Sequence, residues 1–295
     1  KRKGKIMADS FVLRSKVRGR RMDPEGQVAV TGAAGKIGKS FAGYAHDRYN
    51  LKLIVHHREK AEKIETLGKV IEGEIQDLDF LKETFQGCDS VVHLAADPSP
   101  QAVWDSVLPA NITGTYNVFV AAKAAGCRRV IFASSIHAVS GYPRGHQVHP
   151  DEPVNPGDLY GVSKCFGEAM ARFMAIQHGL SSICLRIGAF QPPETARQEE
   201  NLPLMNAFVS HRDMNQLICR CVEDDTLLFA IFHGLSNNAF NRMDIQTARE
   251  LTGYDPHDDF AQMNRELADL DLRRKVQPHS EKGRGQASGL REELE

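Results

Sequence analysis

Residues 27–38 read QVAVTGAAGKIG. QVAVT is a short apolar strand, and Gly32, Gly35 and Gly38 follow at G-x-x-G-x-x-G spacing, ahead of a helical stretch to about Tyr49. In such a strand–turn–helix unit the first glycine permits the tight turn and the second lets backbone approach a pyrophosphate. The third allows close helix–strand packing, and the free N–H groups of the helix N-terminus meet the anion. A glycine turn without a ligand is the plainer alternative, but the strand–helix context favours the nucleotide. Gly32, Gly35, Lys36, Ile37 and Gly38 are the expected phosphate contacts.

Working outward, apolar runs alternate with helical patterns. LKLIVH (51–56), KVIEGEI (69–75), SVVHLAA (90–96), RVIFASS (129–135) and SSICLRIG (181–188) read as further strands. Helices are expected over 77–87, 109–125 and 158–178, the first two closed by Gly87 and Gly126. This alternation predicts an α/β fold, a Rossmann-like doubly wound parallel sheet covered on both faces. The rhythm loosens after residue 189: a loop at 191–203, a helix near 210–223, a strand TLLFAIF (226–232), and helices around 244–252 and 258–270. The expected organisation is a dinucleotide-binding core over 27–189, a small substrate-side lobe over 190–272, and tails at 1–26 and 273–295.

The second strand ends in IVHHREK, about 20 residues beyond the turn, where an adenosine ribose is read. No Asp or Glu stands there; His56, His57 and Arg58 do. An acidic group would accept from a free 2′-hydroxyl and repel a 2′-phosphate, whereas His56 and Arg58 could pair with the phosphate. Solvated loop residues are the bland alternative. Glu74 and Ile75 are placed to meet adenine. Leu94, Ala95 and Ala96 at the end of the fourth strand, with Ile187 near the end of the sixth, border the same sheet edge.

Composition excludes other classes. The 295 residues, 41% apolar and 25% charged with net charge −1, suit a soluble globular chain with no general pull toward nucleic acid or membrane. No apolar run approaches the ~20 residues that span a bilayer. Six cysteines without a C-x-x-C pair point to reduced thiols in a cytoplasmic protein. Residues 1–26 hold nine Lys/Arg against three Asp/Glu and read as a solvated, flexible tail. Residues 277–295 are polar and aperiodic, a second flexible end.

The chemistry lies in DLYGVSKCFGE (158–168). Tyr160 and Lys164, four apart, share a helix face, a spacing that chance would supply about 0.3 times in this chain. Ser134 and Ser135 end the fifth strand at the sheet edge where ligands bind. TGAAGKIG, HLAA, NITGTYNVFVAA with Asn111, ASSIH and YGVSKCFGE together resemble the extended short-chain dehydrogenase/reductase (NAD-dependent epimerase/dehydratase) family. The likeness is nearest to its uronate dehydrogenase branch and spans about residues 27–260. The resemblance implies that Tyr160 is the proton-transfer group and that Lys164 favours the phenolate and holds the nicotinamide ribose. Ser135 would hydrogen-bond the reacting oxygen, and Asn111 would hold a water or the helix behind Lys164. It also implies NAD as cofactor and a homodimer through two long helices; the second strand's basic end favours NADP, so NAD(P) stays open. His137, two residues after Ser135, either touches substrate or is satisfied in its loop. No metal is expected, because hydride transfer needs none and GHQVHPDEP lacks ligand spacing.

The uronate branch's carboxylate contacts do not carry over. Its Ser after the fourth strand falls at Pro98 or Ser99, its Asn at Ile136, and no Arg occupies the expected place in the loop at NLPLMNAFVS (201–210), the nearest being Arg197 across a longer loop. Without an Arg fork a carboxylate loses its best bidentate partner. Ser135, Ile136, His137 and Tyr160 remain the expected substrate contacts. The reading is an NAD(P)-dependent oxidoreductase acting on a hydroxyl or hemiacetal carbon of a small polar molecule, a sugar or sugar acid. A sugar epimerase or dehydratase with tightly held NAD and a non-enzymatic NADP-sensing regulator are the alternatives.

Overall fold

A computed structural model of the protein describes residues 11–15 and 26–268. In chain order the strands and helices begin with β1 (Val12–Arg14), β2 (Gln27–Thr31), α1 (Lys36–Ala45), β3 (Asn50–Val55), β4 (Lys69–Glu72) and α2 (Leu78–Thr84). They continue with β5 (Cys88–His93), α3 (Trp104–Val107), α4 (Gly114–Ala124), β6 (Arg129–Ser135), α5 (Leu159–His178) and β7 (Ser181–Ile187). The last part holds β8 (Ala189–Phe190), α6 (Pro193–Ala196), β9 (Phe208–Val209), α7 (His211–Glu223), β10 (Leu227–Gly234), α8 (Gln246–Thr252), α9 (Phe260–Met263) and α10 (Arg265–Ala268).

Eight strands form one sheet in the order β1-β10-β7-β6-β5-β2-β3-β4. Every neighbouring pair is parallel except β1 on β10. The winding direction reverses between β2 and β5, and this opens a crevice above their carboxyl ends, where ligands of doubly wound sheets sit. Strands β5, β6 and β7 are buried along their whole length, as a sheet covered on both faces requires. The two-residue period sorts their side chains into two cores. Val30, Val92, Ile131 and Leu185 pack with Phe41 of α1 and Leu217 of α7, whereas Val91, Val130 and Cys184 pack with Leu81, Phe119 and Met174 of α2, α4 and α5. The expected Rossmann-like α/β class is the one observed.

Four details differ from the sequence expectation. Val12–Arg14, inside the stretch read as a tail, is an edge strand, because its backbone finds the open side of β10. The rest of 1–26 apart from Phe11, Ser15 and Gly26, and all of 273–295, lie outside the described residues. The third expected strand stops at Glu72, and Ile75 turns inward under Gly114. The helix expected from 109 starts at Trp104 and contains a π-helical turn over Leu108–Thr113. Residues 258–268 form two one-turn helices in place of one long helix.

Candidate active site

The glycine turn fixes one end of a cleft of about 1110 Å³ at the carboxyl edge of the sheet. Gly32 has φ +69°, and a Cβ there would lie 2.7 Å from the Ala95 nitrogen; only glycine satisfies both demands. At Gly38 a Cβ would come within 2.5 Å of the Gly32 oxygen, so α1 packs closely on the turn. Gly32, Gly35, Lys36, Ile37 and Gly38 line the cleft, with Leu94, Ala95, Ala96 and Ile187. The first turn of α1 carries no acidic side chain, and its capping residue makes no side-chain hydrogen bond, so its N–H groups face the cleft uncancelled. This cradle fits a dinucleotide pyrophosphate.

At the far end of β3 the sequence prediction is only partly met. His56 lines the cleft, but Arg58, Glu74 and Ile75 do not. Arg58 reaches toward Glu65 at 3.7 Å, Glu74 pairs with His56 at 2.6 Å, and Ile75 is buried. His57 and Lys60 take the place expected of Arg58. The chain after His57 is a 3₁₀ helix over Arg58–Ile64, in which positions three apart eclipse, so Lys60 stands over His57 while Arg58 is rotated away. His57, Glu59 and Glu72 also bring one ligand-type atom each within 4.8 Å of the others at this rim, a grouping the sequence did not suggest.

At the centre, Ser135 ends β6 and Tyr160 lies in the first turn of α5, which Asp158 caps by accepting from the Gly161 N–H at 2.7 Å. Ser135 and Tyr160 both line the cleft, with the Ser135 hydroxyl close enough to act on the phenol. Burial raises the phenol above its ordinary value, the nearby Ser135 hydroxyl partly offsets this, and the carboxylates of Asp158 and Asp97 push it further up. Lys164, one turn on, is 4% exposed with Nζ 5.4 Å from the Tyr160 ring centre; burial lowers it to about 8. His137 and Ile136 both line the cleft, and the His137 ring meets Tyr160 edge-on at 5.4 Å.

Asn111 does not line the cleft. It sits in the π-helical turn, accepts from the Asp97 N–H at 2.8 Å and donates to the Asp97 carbonyl and to Ser163, next to Lys164. It thus ties the end of β5 to α5, and a π turn at such a position is a frequent mark of function. Behind Ser135, Ser134 donates to Glu168, which also holds Arg186 through both of its carboxylate oxygens at 2.9 Å. Sequence reasoning missed Asp97, Asp158, Gln191 and Asn206, the last two of which line the substrate end with Phe190 and Leu204. Only Asp158 had a readable signal, an Asp just before an apolar helical run. All six cysteines are free, five of them buried.

The strand order, the glycine cradle and the Ser135–Tyr160–Lys164 cluster meet in one cleft, and comparison with known proteins agrees. The model of the NAD dependent epimerase/dehydratase family matches residues 28–219.

The chain belongs to that family.

It is 34% identical to the NAD-dependent glucose-6-phosphate dehydrogenase of Haloferax volcanii, across 83% of this chain and 98% of that protein. It is 36% identical to the L-arabinose 1-dehydrogenase (NAD(P)(+)) of the same organism, across 80% and 98%. Among solved structures, uronate dehydrogenase from Agrobacterium tumefaciens superposes with TM-score 0.73 at 28% identity, covering 84% of this chain and 90% of that one. Among the described residues no helix is long and apolar enough to cross a membrane.

Proposed function

We propose that the protein is an NAD(P)-dependent sugar dehydrogenase that oxidises the hemiacetal carbon of an aldose-type substrate. The meeting of Ser135, Tyr160 and buried Lys164 in one cleft carries this reading. Ser135 holds the reacting hydroxyl, and Tyr160 takes its proton as the base of oxidation and returns it as the acid of reduction. The nicotinamide, when bound, accepts or donates the hydride. Lys164 lowers the cost of the phenolate by its charge, and Asn111 keeps the helix turn that presents it. His137 and Ile136 border the sugar, and the chain from Phe190 to Ala207 supplies the rest of its pocket, including Gln191 and Asn206.

Both NAD and NADP fit the adenosine end. Among the described residues lining the cleft there is no Asp or Glu to repel a 2′-phosphate, and His57 and Lys60 offer it donors. The protein also pairs with a second copy through α4 and α5: Tyr116, Val162, Phe173 and Ile176 are large apolar side chains left nearly half exposed on those helices.

The test is turnover with NAD and NADP against a panel of neutral sugars, sugar acids and sugar phosphates. Reduced nicotinamide formed one for one with sugar consumed supports the reading. A stereoisomeric product with no net change in nicotinamide absorbance would replace it with the epimerase reading.

A further inference from the structure

The following rests on the sugar dehydrogenase reading and concerns which sugars the cleft admits. His137 lines the cleft two residues after Ser135. Its Nδ1 lies 2.6 Å from Asp158 Oδ2, and the other oxygen of that carboxylate accepts the Gly161 N–H. One carboxylate therefore joins the segment that carries Ser135 to the helix turn that carries Tyr160. The joint is tight, since a Cβ on Gly161 would lie 2.4 Å from the His137 oxygen.

An ionised carboxylate can only accept. In the neutral imidazole the proton therefore sits on Nδ1, toward Asp158, and Nε2 carries the lone pair. So long as the ring is neutral, His137 offers the cleft an acceptor. A sugar hydroxyl has a proton to give it; an ionised carboxylate or phosphate has only lone pairs and is repelled.

The charge around the reacting centre points the same way. Asp158 and Asp97 both lie close enough to raise the Tyr160 phenol. Among the described lining residues the Lys and Arg side chains are Lys36 and Lys60, both at the cofactor's phosphate and ribose end, and Lys164. The polar groups left for substrate at the other end are the neutral amides of Gln191 and Asn206.

We propose that Asp158 is a positioning residue that fixes His137 as a hydrogen-bond acceptor, and that this pair selects a neutral sugar, through the hydroxyl beside its reacting carbon, over a sugar acid or sugar phosphate.

The test has two arms on the full chain. In turnover, wild type should favour neutral aldoses over hexuronates and hexose 6-phosphates by about tenfold or more, and a 2-deoxy aldose should lose about tenfold or more in kcat/KM. In calorimetry on the Tyr160→Phe protein with oxidised cofactor, the aldose should bind more tightly than its 2-deoxy analogue by a similar factor. Adding His137→Leu or Asp158→Asn should bring that binding ratio close to one. Asn caps a helix as well as Asp does, so the second variant keeps α5 and serves if the first fails to fold. A ratio unchanged in Asp158→Asn, or a wild type that prefers acids or phosphates, overturns the proposal while leaving a dehydrogenase in place. A wild type that oxidises no sugar overturns the proposal and the function beneath it together.

Discussion

The Lys164 ammonium lies 5.4 Å from the centre of the Tyr160 ring and 5.1 Å from that of Phe132. It is a cation held against two aromatic faces in a buried pocket, and burial alone draws its pKa from 10.5 to about 8. Between those two values the unfolded chain keeps a proton that the folded protein has released. The contribution of Lys164 to stability therefore rises with pH through that window and is least favourable below it, where both states are charged and the folded one bears the desolvation. The unfolding temperature of cofactor-free wild type minus that of Lys164→Met should be flat below pH 8 and climb from 8 toward 10.5. A flat difference throughout would mean that the lysine is hydrated in the folded state.

Tyr160→Phe removes the proton-transfer group and keeps the ring that packs on His137. Its kcat should fall by about 10²- to 10⁴-fold, with cofactor affinity, measured by fluorescence quenching or calorimetry, essentially unchanged. Equal losses in both would assign the tyrosine to binding.

Lys60→Ala tests the adenosine end. Its KM for NADP should rise about tenfold while that for NAD moves little, because only the former brings a phosphate for the ammonium to meet. Arg58→Ala, whose side chain is turned toward Glu65, should leave both nearly unaltered.

Glu168→Gln should cost about 3–5 kcal/mol in a urea melt, because it strips the counter-charge from an Arg186 that is 1% exposed. Cofactor and substrate should still bind the fraction that remains folded.

Phe173→Glu places a charge within the apolar face of α5. Light scattering should show wild type at twice the chain mass and the variant as a single chain.

Much of this was legible in the chain itself, for identifiable reasons. The glycine turn was readable because two of its positions tolerate no side chain, and strands β5, β6 and β7 because burial on both faces centres each on a short apolar run. Ser135, Tyr160 and Lys164 were picked out because ASSIH and YGVSKCFGE resemble the family's motifs, and the fold brings all three to one cleft. Lys60 was not, since the switch to a three-residue helical period after His57 cannot be seen in HHREK. The π-helical turn at Asn111 was hidden because its apolar spacing differs little from that of an α-helix. Strand β1 was hidden by the lysines and arginines around it; its three residues pair through backbone, which leaves no mark in side-chain pattern. Asp97 carried no local signal, because it meets Tyr160 only through the fold.

That first strand has a consequence for the molecule as an object in solution. Without Val12–Arg14, β10 would present its Leu227–Ala230 backbone as a bare, apolar border. Such a border is a template on which a foreign strand can add. The opposite border needs no cover, because β4 is four residues long with Lys69 and Glu72 at its ends. A shortened chain beginning at β2 would keep every group of the cleft and yet be the form most prone to clump.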